Sequence, residues 1–136
     1  MTIQALIQRL IAQQQADRWL DVGIAEALGW ERKADVVRDA ATGDERKNLY
    51  WLRPSDREPA LPPHYTSNLQ HAYELLQIVS PSLEGGFSWE SGKGGAKLDE
   101  GDYVEAATPQ LAICLTALLK LESRRELNGK IETDAT

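Results

Sequence analysis

Thr108 to Leu121, TPQLAICLTALLKL, constrains the fold of this chain most, because it is the longest nearly uncharged apolar run and Lys120 is its only charge. Thr108 suits an N-cap, its hydroxyl accepting a free backbone N–H, and Pro109 falls at the first helical position, where a missing N–H costs nothing. Leu111, Cys114, Leu115, Leu118 and Leu119 follow at helical spacing, with Ala112, Ile113 and Ala117 widening the apolar surface beyond one stripe. The run predicts a core helix. None of its side chains is equipped for chemistry.

A chain of 136 residues is long enough for one domain with a real core, burying roughly 70% of its unfolded surface. A net charge of −6 argues against duplex nucleic acid, whose binders carry a basic excess to displace counterions, and leaves room only for a local basic pocket. Cys114 is the sole cysteine, so no internal disulfide and no cysteine-based zinc site can form; a cytosolic protein and a small buried hydrophobe are expected. Arg9 interrupts the first apolar residues and glutamines follow, unlike a signal peptide. No apolar run reaches the ~20 residues needed to cross a bilayer, so no membrane association is expected.

Ile3, Leu6, Ile7, Leu10 and Ile11 put a narrow apolar stripe on a helix from about Thr2 to Gln15, able to dock on the domain or on a second subunit. Asp17 caps a second predicted helix with Leu20, Ile24, Ala27 and Leu28 buried and Gly29 ending it; Asp21 and Glu26 read as solvated carboxylates. Glu31 to Asp44 is mixed and charged, with at most a short strand at Val36 and Val37 and a turn at Thr42-Gly43-Asp44. Asn48 to Arg53 reads as a strand closed by Pro54, and the proline-rich stretch to Pro63 as an extended loop. A capping box at Ser67 and Gln70 then opens a helix ending near Ser80-Pro81. His64 and His71, seven apart in sequence without a clear third ligand, make a poor metal site.

Phe87 and Trp89 mark one strand of a hairpin that turns through glycines and returns past Lys93 and Lys97. The glycines do not have phosphate-loop spacing, although glycine backbones beside two lysines could still cup an anion. Asp99, Glu100, Asp102 and Glu105 lack EF-hand spacing and read as a solvated acidic turn, followed by a short strand at Tyr103, Val104 and Ala106. Past Glu122 the helix is expected to fray. The expected organisation is an amphipathic helix over 1–16, a domain over 17–122 and a charged tail over 123–136.

Three segments, DRWLDVGIAEALGW, PHYTSNLQHAYELL and EAATPQLAICLTALLKL, together resemble small phage and prophage proteins of the phage ABA-sandwich type. The residues that carry the likeness are Leu20, Asp21, Gly29, Trp30, Tyr65, Thr66, Trp89, Thr108, Pro109, Leu111, Ala112 and Cys114. It covers roughly residues 17 to 121. Asn68 departs from it, since similar proteins often carry Asp there. The resemblance implies an α/β (α+β) helix-sheet-helix sandwich with about four helices and a small antiparallel or mixed sheet. Some small phage proteins of this appearance sequester nucleotide-derived immune signals.

Two functions follow as expectations. One is a non-enzymatic phage accessory protein in the host cytosol that binds a cyclic nucleotide or cyclic ADP-ribose-type signal without a cofactor. Its candidate ligand residues are Trp51, Arg53, Arg57, His64, Tyr65, Thr66, Trp89, Lys93 and Lys97, with Tyr50 beside them, because aromatic stacking plus charge-assisted bonds suits such an anion. The other is a protein-interaction or assembly module acting through the N-terminal stripe, for which a homo-oligomer and an exposed apolar patch are expected. An enzyme is not expected, because no nucleophile–base, paired-acid or metal constellation has usable spacing.

Overall fold

The computed structural model describes residues 1–80, 84–99 and 101–134. In chain order the elements are α1 (Ile3–Ala12), α2 (Arg18–Ala27), β1 (Glu31–Arg38), β2 (Glu45–Leu52), α3 (Leu69–Val79), β3 (Gly85–Glu90), β4 (Lys93–Leu98), β5 (Val104–Ala106) and α4 (Pro109–Asp134). Four helices and two small antiparallel sheets make an α+β protein, as expected. One sheet is the β1–β2 ribbon and the other has the order β3-β4-β5.

α4 is the core helix that its apolar composition requires. Every residue from Leu111 to Leu118 is buried, so the helix is covered all round rather than along one stripe. β3, β4, β5, α1 and α3 all touch it. Thr108 Oγ1 accepts the Leu111 N–H at 3.1 Å, the cap expected from Thr108-Pro109. Gly94 marks a close approach of sheet and helix: a Cβ there would lie 2.1 Å from Pro109 N, so only glycine fits at this crossing. The helix does not fray at Glu122 but runs on to Asp134, across the expected start of the tail.

One open alternative is decided and two further expectations are corrected. The α1 stripe docks within the chain: Ile3, Leu6, Ile7 and Leu10 join the common core and only Ile11 stays exposed, so the exposed patch expected of an N-terminal dimer stripe is not there. α3 begins one residue later than the capping box implies, with Asn68 as N-cap, its side-chain oxygen accepting the His71 N–H at 3.1 Å. An amide oxygen caps as well as a carboxylate, which gives Asn68 a role without charge. Finally, β1 is a full strand of eight residues despite its charges, because β2 pairs with it from Glu31↔Leu52 to Arg38↔Glu45.

That ribbon stands apart from the core. β1 is almost wholly exposed and β2 is covered only toward Leu52, and among the described residues neither strand packs broadly against a helix or the other sheet. Its turn is closed by Asp39 N–H to Asp44 O and Gly43 N–H to Asp39 O, both at 2.8 Å, with Gly43 at φ +74°.

Candidate functional site

The residues expected to bind a ligand fall into three separate places. Tyr65 and Thr66, before α3, belong to the framework. Tyr65 is buried and burial pushes its phenol pKa up, while Thr66 donates its N–H and its hydroxyl to Asp21 Oδ1, both at 2.7 Å. Asp21 is 2% exposed, which corrects its assignment to solvent: Arg18 bonds its other oxygen at 3.2 Å and reaches on to the Pro62 and Pro63 carbonyls. Glu26 is exposed as expected. This lock ties α2 to the segment leading into α3. Beside it, His64 N–H donates to His71 Nδ1 at 2.8 Å and the two rings stack at 6.1 Å.

Trp51, Arg53 and Arg57 lie at the base of the ribbon with Tyr50. Both arginines are engaged. Arg53 pairs with Asp56 at 2.8 Å, and Arg57, at φ +61°, forms a two-pronged bond to Glu31 at 2.8 and 3.1 Å. Hydrogen bonds from Arg57 and then Lys33 hold the Glu31 carboxyl down at about 2. Tyr50 donates to Asp35.

Trp89, Lys93 and Lys97 lie on the β3–β4 hairpin. Lys93 and Lys97 alternate with Gly95 on the sheet face away from α4, whereas Trp89 opposes Gly94 on the α4 side and remains 73% exposed. Trp89 and Lys93 share an open cleft of about 270 Å³ with Ser88, Glu90, Gly94, Gly95, Tyr103 and Glu105. Tyr103 packs over Gly95 and bonds Ser88. Lys93 sits 2.9 Å from Glu105 and 3.6 Å from Glu90; bonding to Glu105 raises its pKa and two carboxylates outweigh its charge. That balance opposes an anion. Lys97 carries no ion pair among the described residues.

The acidic turn is only partly solvated: Asp99 accepts from Ser80 at 3.0 Å and pairs with Lys120 at 3.4 Å, while Glu100 lies outside the described residues. Cys114 is buried, its thiol raised by burial and bonded to Tyr65 O, as a core residue rather than a nucleophile. Among the described residues no group of three or more His, Cys, Asp or Glu side chains could hold a metal, and no helix is long and apolar enough to cross a membrane.

Residues missed at the sequence level matter more. Cross-strand partners share a ribbon face, so Arg32, Trp51, Ala34, Leu49, Val36, Lys47, Arg38 and Glu45 lie together on one side. Val36 is 63% and Leu49 56% exposed. Arg38 pairs with Glu45 at 2.8 Å, whereas Arg32 and Lys47 have no ion pair among the described residues. The turn at Thr42-Gly43-Asp44 between two charged segments was the available signal. The chain matches no protein-family model, no curated protein and no solved structure.

Proposed function

We propose that this chain is a non-enzymatic phage or prophage accessory protein that works in the host cytosol by gripping a macromolecular partner with the β1–β2 ribbon. The observation that carries the proposal is the ribbon itself: paired along eight residues of each strand, uncovered by the core, and bearing an apolar row beside unpaired cations. A two-stranded ribbon alone is marginal in water, and exposed apolar surface rimmed by polar groups is typical of interaction sites. The phage role comes from the likeness of the three sequence segments. Self-association would need a surface other than the α1 stripe, which fills the chain's own core.

A photo-crosslinking amino acid placed at Val36, and at exposed Ile78 of α3 as a control, tests the ribbon in cells. Adducts specific to position 36 and lost on Arg32→Glu/Lys47→Glu are expected. Equal adducts from both positions, or none from 36, would overturn the assignment.

The Trp89 cleft supports a second proposal, sequestration of a nucleotide-derived signal, because its exposed indole offers a ring on which a base stacks. Phosphate would have to displace Glu105 from Lys93. Calorimetry with cyclic dinucleotides and cyclic ADP-ribose isomers should give heat that disappears in Trp89→Ala. No heat across the panel would remove this proposal.

A further inference from the structure

We infer that the Arg32–Trp51 face of the ribbon docks an acidic, amphipathic helix of a partner protein. The inference rests on the ribbon being the working surface and adds what it holds. Along this face Trp51, Ala34, Leu49 and Val36 form an apolar row, bordered by Arg32 and Lys47. Arg32, Arg38 and Lys47 stand against Glu45 alone, a net charge of +2 on one face of a chain whose total is −6.

The opposite face is closer to balance: on its strands Lys33 and Arg46 offset Glu31 and Asp35, and Arg57, clasped to Glu31 from the following loop, brings its sum only to +1. Unmatched cations beside exposed aliphatics call for carboxylates beside apolar side chains. A second copy stacked through the same face would set Arg32 and Lys47 against each other's like charges, which disfavours self-pairing. Single-stranded nucleic acid prefers a ring for each stacked base, and here one tryptophan is followed by three aliphatic residues.

The shape of the occupant follows from how the other sheet is treated. α4 lies against Gly94, Ala96 and Leu98 of β4, while no helix packs broadly on the ribbon among the described residues. Strands of eight residues span ~26 Å, the length of a helix of about 17 residues.

The test uses the full chain and a labelled peptide of about 18 residues with leucines on one helical face and glutamates flanking them. A scrambled peptide of the same composition and a short oligothymidylate serve as alternative probes, read by fluorescence anisotropy. The amphipathic peptide is expected to bind about tenfold or more tightly than the scrambled one, and Arg32→Glu/Lys47→Glu to lose at least about tenfold. Arg46→Glu, on the opposite face, should change affinity less than about twofold. Unchanged thermal melting of each variant excludes misfolding as the cause.

Equal binding of the scrambled peptide, tighter binding of the oligothymidylate, or an equal loss in Arg46→Glu would overturn the inference. So would failure of the peptide to bind at all. If position-36 adducts persist in that case, the ribbon remains the working surface and only the acidic-helix occupant falls; if they vanish too, both fall.

Discussion

Asp21 shows how much one side chain can hide in a helical pattern. Nothing in LDVGIAEAL separates Asp21 from Glu26, yet only Asp21 faces the turn that brings Thr66 within 2.7 Å. A carboxylate at 2% exposure survives because Thr66 and Arg18 satisfy it. Asp21→Ala, which strands those donors, is expected to lower stability by about 3 kcal/mol in urea unfolding; a loss below about 0.5 kcal/mol would contradict the lock. Glu31 makes the complementary case at the surface. Its carboxyl is depressed to about 2 from an ordinary 4.5, so the bond to Arg57 persists as pH falls through 4.5 and opens only as pH approaches 2. A carboxyl-carbon NMR titration of Glu31 should place its midpoint near 2, and a midpoint near 4.5 would remove the Arg57 clasp.

At the scale of elements, the apolar helices were legible and the ribbon was not. α1 and α2 announce themselves because burial imposes a 3.6-residue period and α4 by its continuous apolar run, and Asp17 and Thr108 mark two starts with side chains that bond the first free N–H groups. β1 has no such signature: ERKADVVR is exposed on both faces, so burial imposes no apolar alternation. Its pairing with β2 is fixed by a turn and a register instead. The start of α3 slipped by one residue because Ser67 and Asn68 are both good caps and only Asn68 faces the His71 N–H. Asn68→Ala is therefore expected to cost about 1 kcal/mol and Ser67→Ala much less, measured by chemical denaturation. Gly94→Ala is expected to cost about 3 kcal/mol, because the added methyl meets backbone at Pro109 that cannot step aside. A neutral Gly94→Ala would contradict the close crossing of β4 and α4.

The molecule as a whole divides into a body that folds and a ribbon that is left free. Every helix and the three-stranded sheet feed one core around α4, including the α1 stripe that could equally have served a dimer. From the sequence, that core and its class were readable. The candidate site was readable only as a collection of aromatic and cationic residues, because whether a cation is free depends on which carboxylate the fold brings beside it. Lys93, Arg53 and Arg57 are all claimed by carboxylates, while Arg32 and Lys47 have no ion pair among the described residues. If the ribbon is an arm rather than part of the core, replacing residues 32–51 by a short Gly-Ser link should leave the body intact. Differential scanning calorimetry of that shortened chain is the most direct test. A single cooperative transition within about 3 °C of the full-length melting temperature is expected; loss of the transition, or a fall of more than about 10 °C, would place the ribbon within the fold and contradict its assignment as a free working surface.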